Sequence, residues 1–476
     1  MKTTPRRGFA RRLTAALGVA ALAAAGVLAA AVPASAAPGN MPTGNGTLTI
    51  HKYEQPSPAG GADNNGTAIT VPGAWVALTG VNFTIQRITD VDLNTDAGWN
   101  LAKNRAASAI PPSALGSATT VTTGSDGSIA STLAIGAYLV TEVASPNATI
   151  SGGTTPANIT MTAAPFVVTV PVPTGTGTWN TNVHVYPKNS LTAVTKSVAA
   201  PSGSGLGSTL TWTIDVKIPY LTAGQSFTGF AVTDTLDAKL TYLAGSATAK
   251  IGSTDVALTD STSGQNVAVS PTDLNVLAAN QGETLSVTFR TTVIAAGEID
   301  NQATAVINGT GIGSNQTASY WGQIKIDKHA EGDAAKTLQG AVFTVHETAA
   351  DAAAGTGAIS VGGQTQFPTG ADGSVTIPGL WVSNTADATK TYYLREVTAP
   401  AGYDVYTGEI AATLTASGAV ATPVTVTVAD PQKPQLSLPI TGGDGARTLM
   451  ILGGGLLLAA LGVAIVALRR RRAAQR

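Results

Sequence analysis

Between residues 46 and 430 nearly every apolar stretch is short, alternates with polar residues and stops at Gly, Asn, Asp or Pro. Alternation buries every second side chain of a strand, whereas a helix needs apolar residues three and four positions apart. Such a chain can build antiparallel sandwiches but few helices. Only 12% of the residues are charged, about half the usual ~25%. Thr, Ala, Gly and Val make up the difference, which again favours strands. The length of 476 residues suggests about three domains. A net charge of -1 leaves no field to attract phosphate, so nucleic acid is not an expected partner. Without cysteine, disulfides, zinc ribbons and thiol catalysis are excluded.

Both ends read as addresses. Residues 1–36 run from a basic segment through an apolar stretch to Ala34-Ser35-Ala36, the pattern of a cleaved signal peptide. The arginines near Arg6 leave twin-arginine export as an alternative to the preferred Sec route. Residues 448–468 form an uncharged apolar run, roughly 30 Å long as a helix and enough for one bilayer crossing. Arg469 to Arg472 follow and are expected to stay cytoplasmic.

A partial repeat organises what lies between. Gly46-Thr-Leu-Thr-Ile-His-Lys52, Gly80-Val-Asn-Phe-Thr-Ile85 and Tyr138-Leu-Val-Thr-Glu142 have counterparts in Gly322-Gln-Ile-Lys-Ile-Asp-Lys328, Gly340-Ala-Val-Phe-Thr-Val345 and Tyr393-Leu-Arg-Glu396. Two related modules therefore flank a different one. The expected fold is all-β: three tandem immunoglobulin-like sandwiches. The expected divisions are 37–189, 190–322 and 323–432, with 433–476 as a C-terminal signal. Within the first module, residues 101–116 have weak strand character and are expected to form a helical or loop insertion.

Two motifs carry a family resemblance. Leu438-Pro439-Ile440-Thr441-Gly442 precedes the apolar run and the arginines, an order that resembles a Gram-positive sortase sorting signal of the LPxTG type. Residues Trp179, Val183, Val185, Tyr186, Pro187 and Lys188 fill the fixed positions of WxxxVxVYPK, which resembles the pilin motif. The chain is thus similar to major (shaft) pilins of sortase-assembled pili, with outer modules like CnaB and a middle module like CnaA. The resemblance implies that a sortase cleaves after Thr441 and passes its carbonyl to Lys188 of another subunit. It implies as partners a pilus-specific class C-type sortase, a housekeeping sortase, identical subunits, peptidoglycan, and a tip or basal pilin. The implied place is a cell-wall fimbria that supports adhesion through a receptor the sequence does not name. Strand parity puts Val183, Val185, Pro187 and Asn189 on one face and His184, Tyr186 and Lys188 on the other, so Lys188 can face outward.

Modules of this type often contain an internal Lys–Asn or Lys–Asp isopeptide bond. In the third module parity turns Lys328, Glu396 and Asp430 inward with their apolar neighbours. Burial disfavours both charges, so a neutral amine can attack the Asp430 carbonyl while protonated Glu396 shuttles the proton. The middle module offers Lys196, Asp234 as shuttle and Asn301, with Asn308 as a rival acceptor on the opposite parity. The first module offers Lys52, Glu142 as shuttle and Asn189. Its bond needs the pilin-motif strand docked, so slow or partial closure, or closure only after assembly, is expected there. For each triad a buried salt bridge is the alternative.

Other signals are weaker. Asp90, Asp92, Asn94 and Asp96 alternate like a calcium loop, but Thr95 stands where Gly is needed and Leu101 where a closing Glu is needed. The four histidines lack metal-ligand spacing, and neither metal nor cofactor is expected. No turnover enzyme is expected, since no hydrolase elbow or nucleotide loop is present. The competing function is a monomeric wall-anchored adhesin that binds a host protein or glycan; it would have no use for Lys188.

Overall fold

The computed structural model describes residues 41–56, 65–175, 177–222, 224–417, 422–435 and 444–473. The expected signal peptide and the expected sorting motif, Leu438, Pro439, Ile440, Thr441 and Gly442, lie outside the described residues.

The molecule is built of strands in face-to-face sheets, each with a buried apolar centre. In the first sandwich the strand Asn45–His51 is central. It pairs parallel with Asn182–Val185 and antiparallel with Ser128–Ala134. Opposite stands a four-stranded sheet of Phe166–Val170, Gly136–Val143, Asn82–Arg87 and Thr119–Thr122. Leu48, Ile50, Phe83, Val140, Val168 and Val183 fill the space between, every second residue of its strand as alternation requires. The expected insertion is a helix, Asp96–Asn104, followed by two 3-10 turns. Thr95 caps the helix by accepting from the Gly98 N–H at 3.0 Å. The helix packs on a smaller core of Ile88, Val91, Ala102 and Ile110.

The second sandwich places the sheet containing Val194–Val198, Thr209–Lys217 and Thr284–Val293 against one containing Phe230–Thr235 and Ala303–Ile307. Trp212, Phe289, Val232 and Ala305 lie between them. The third sandwich sets Val342–His346, Thr389–Thr398 and Ile410–Thr415 against a sheet centred on Thr317–Ala330.

That 14-residue strand belongs to two sandwiches. Its first half pairs with Gly297–Asn301 of the second. Its residues Tyr320–Asp327 pair antiparallel with Ser374–Ser383, and its second half pairs parallel with Val424–Asp430, the last strand of the third. The expected division at 322/323 falls inside this continuous strand. At the C-terminal end, the helix Asp444–Ala473 contains a span, Arg447–Arg472, whose most apolar 18 residues have a mean hydropathy of 2.5, long and apolar enough to cross a membrane.

Candidate functional site: three buried triads and a surface lysine

Parity delivers each inferred lysine to an apolar interior. Lys52, Lys196 and Lys328 are 0%, 4% and 1% exposed, values that lysine almost never shows unless paired. Lys196 and Lys328 lie on the first strands of their sandwiches, and Lys52 immediately follows Asn45–His51; each meets a carboxyl from a strand distant in sequence, and Lys52 and Lys328 meet a second acceptor as well.

In the first sandwich the Lys52 Nζ donates to Glu142 Oε2 at 2.8 Å and to Asn189 Oδ1 at 2.5 Å. The Asn189 Nδ2 donates to Glu142 Oε1 at 2.5 Å, closing a ring of three hydrogen bonds. Burial pushes the Lys52 amine down to about 8, against the attraction of Glu142. The Ala163 N–H donates to Asn189 Oδ1 at 2.8 Å, where negative charge would gather if the amide carbon were attacked. The motif strand is docked on Asn45–His51 within a single chain, so this geometry does not require a second subunit.

In the second sandwich Lys196 donates to Asp234. Its Nζ lies 4.8 Å from the Trp212 ring centroid. Burial pushes Lys196 down to about 8. Burial also raises Asp234, against the attraction of Lys196 and the nearby Asn301 amide. Asn301 is 2% exposed, and neither of its side-chain polar atoms has a well-formed hydrogen bond among the described residues. Asn308 is engaged elsewhere. At φ +49° its Oδ1 accepts from the N–H groups of Thr228 (2.7 Å) and Gly229 (3.2 Å), and its Nδ2 donates to the Ser226 carbonyl at 2.8 Å.

In the third sandwich Lys328 donates to Asp430 and, at 3.2 Å, to Glu396 Oε2. Glu396 is raised to about 7, chiefly by burial, against the Tyr406 N–H that donates to its Oε2 at 2.8 Å. Glu396 Oε1 and Asp430 Oδ2 are buried without a partner among the described residues. A neutral amine beside a protonated carboxyl differs from the ion pair only in the position of one proton. The reactive form is therefore reachable without exchange with bulk water.

Orphaned buried polar atoms cost about 1–3 kcal/mol each, and the pKa shifts give the unclosed pair a signature. Asn301→Ala removes the candidate acceptor, and in it Lys196 is expected to keep a folded pKa near 8 against an ordinary 10.5. The unfolded chain then binds more protons between those values, so stability is lowest below about pH 8 and rises toward pH 10.5, by about 3 kcal/mol. Melting temperature against pH reads this directly. A flat alkaline limb in Asn301→Ala would mean that Lys196 is not held in that environment.

The motif residues do separate jobs. Trp179 stacks on Trp99 of the inserted helix, with centroids 5.4 Å apart. Val183 is fully buried. Tyr186 stacks on His51 at 4.7 Å, and His51 Nε2 meets His184 Nδ1 at 2.9 Å. Lys188 is half-buried rather than freely solvated. Its Nζ lies 4.2 Å from the Trp75 ring centroid, and burial pushes its pKa down. Sequence reasoning missed Trp75; an aromatic residue inside Val71-Pro-Gly-Ala-Trp75 was the available signal. The acidic residues at 90–96 have local partners: Asp90 pairs with Arg105 at 2.7 Å, and Asp92 accepts from the Asn94 N–H at 3.0 Å.

These features, sheets with buried lysine–carboxyl triads and a motif lysine at a strand start, define a pilin. A family model described as Gram-positive pilin subunit D1, N-terminal domain, matches residues 43–190. One described as SpaA, prealbumin-like fold domain, matches residues 322–428. Fimbrial subunit type 2 of Actinomyces naeslundii is 30% identical, with 90% of each chain covered. Fimbrial subunit type 1 of Actinomyces viscosus is also 30% identical, covering 90% of this chain and 91% of its own. The full-length major pilin SpaD of Corynebacterium diphtheriae superposes with a TM-score of 0.68 at 25% identity, covering 83% of this chain and 99% of that one. The chain belongs to the Gram-positive fimbrial subunit family.

Proposed function

We propose that the chain is the shaft subunit of a covalent, cell-wall-anchored fimbria in which a sortase joins Lys188 of one subunit to Thr441 of the next. The observation that carries this reading is the placement of Lys188. It opens the strand Lys188–Leu191, with its amine at an aromatic shelf and its neighbour Asn189 buried in the first triad. In the joining step the Thr441 carbonyl is held as a thioester on the sortase cysteine. The neutral Lys188 amine attacks it, the C–N bond forms, the C–S bond breaks, and the amine proton passes to the departing thiolate.

Within each subunit the triads close on themselves. Lys52–Asn189 and Lys196–Asn301 each release ammonia, and Lys328–Asp430 releases water, with Glu142, Asp234 and Glu396 as proton shuttles. The chain is a substrate and a self-modifying structural protein rather than a turnover enzyme. Peptidoglycan is the final anchor, and adhesion is the role of the finished fibre. Digestion of purified fimbriae followed by mass spectrometry should recover a branched peptide with Thr441 joined to the Lys188 Nζ. Recovery of polymer whose only intersubunit branch is at another lysine would refute the assignment.

A further inference from the structure

We infer that Trp75 is a positioning residue for the polymerising amine: its ring forms a shelf on which the Lys188 side chain is held for transfer. The inference rests on the reading of Lys188 as the acceptor.

The backbone explains how the two side chains meet. The short strand Tyr53–Glu54 runs between two neighbours. On one side Lys188 lies opposite Tyr53 in parallel register. On the other, Tyr53 bridges Ala77 antiparallel and the Glu54 N–H donates to the Val76 carbonyl at 2.8 Å. Residues opposite one another share a face, and so do residues two apart. Lys188, Tyr53 and Trp75 therefore project from the same side. The rings form a row: His51 on Tyr186 at 4.7 Å, Tyr186 beside Tyr53 at 6.4 Å, and Tyr53 edge-on to Trp75 at 5.3 Å. The row ends at the Lys188 Nζ, 4.2 Å from the Trp75 centroid.

The segment that carries Trp75 is fastened by the motif itself. The Tyr186 hydroxyl accepts from the Ile69 N–H at 3.0 Å, and the Gly66 carbonyl accepts from Asn180 Nδ2 at 2.8 Å and the His184 N–H at 2.9 Å. The motif thus supplies both the lysine and the ties that bring a distant tryptophan to it. An indole face attracts an ammonium group, which restrains a stem that would otherwise sample many rotamers in water. The half-burial that accompanies this contact lowers the Lys188 pKa and enlarges the neutral, nucleophilic fraction at neutral pH. Orientation of this kind is a recognised source of rate.

The test compares Trp75→Leu, which keeps apolar bulk without a π face, with Trp75→Phe, which restores one. Full chains are expressed on cells with their pilus sortase, and ladder formation is timed. Full chains from sortase-lacking cells are acetylated with N-hydroxysuccinimidyl acetate across a pH series, and acetylation at Lys188 is read by peptide mapping. We expect ladders about ten-fold slower in Trp75→Leu, near wild-type rate in Trp75→Phe, and a Lys188 acetylation midpoint moved to lower pH in Trp75→Leu, which loses the face that favours the ammonium form while keeping the apolar bulk. Wild-type ladder rate and midpoint in Trp75→Leu overturn the inference while leaving the acceptor reading intact. Ladders that persist in Lys188→Ala overturn the acceptor reading, and this inference with it.

Discussion

Lys188→Arg leaves only monomer at the cell surface. Arginine preserves the positive charge and stacks on Trp75 at least as well as lysine, but its guanidinium stays protonated at any physiological pH and offers no nucleophilic lone pair. Charge-based adhesion or simple packing at this position would survive the change; acyl transfer cannot. The readout is the ladder of cell-wall extracts on a denaturing gel, which should collapse to a single band in Lys188→Arg and in Lys188→Ala. The intact mass of either variant should still show the internal ammonia and water losses, because the buried triads do not use the Lys188 side chain. A ladder indistinguishable from wild type in Lys188→Arg would end the claim that this residue is the acceptor.

The second large effect belongs to the third sandwich. Glu396→Gln is nearly isosteric and keeps the fold, but an amide cannot carry the proton that leaves Lys328 and reaches the departing oxygen of Asp430. After allowance for the roughly one-dalton difference between Glu and Gln, the variant should be one water heavier than wild type. A crosslink between these residues closes a loop with a sequence separation of 102. By the chain-entropy argument used for disulfides, that closure stabilises by about 4–5 kcal/mol. For a domain of this size the loss corresponds to a melting temperature lower by roughly 20 °C. Intact-mass measurement and calorimetry test the two halves separately. Wild-type mass and melting in Glu396→Gln would remove Glu396 from the shuttle role.

The triads were readable from the chain because strand parity is a strict period of two. Once Ile324 and Ile326 are taken as core, Lys328 must follow them inward, and Tyr392 and Leu394 carry Glu396 with them. The choice between Asn301 and Asn308 was not readable in the same way. It depends on a left-handed turn that commits Asn308 to the N–H groups of Thr228 and Gly229, a tertiary contact without a local pattern. Trp75 was invisible for a similar reason. Its meeting with Lys188 is produced by two different neighbours of one two-residue strand, and nothing in the spacing of residues 75 and 188 announces it. The first triad's dependence on the motif strand was legible. That the strand would dock in an isolated chain was a matter of packing, through Val183 opposite Leu48 and in a common core with Val170.

The strand Thr317–Ala330 also sets the route that force takes along a fibre. Pulling on the C-terminal end of a subunit tensions Val424–Asp430, which lies parallel to the second half of that strand. With Asp430 joined to Lys328, the pull crosses to the long strand through one amide and continues up its backbone into the second sandwich, where Gly297–Asn301 is its neighbour. The remaining strands of the third sandwich lie off that route. In a fibre crosslinked in this way they would form a sleeve around a taut cord.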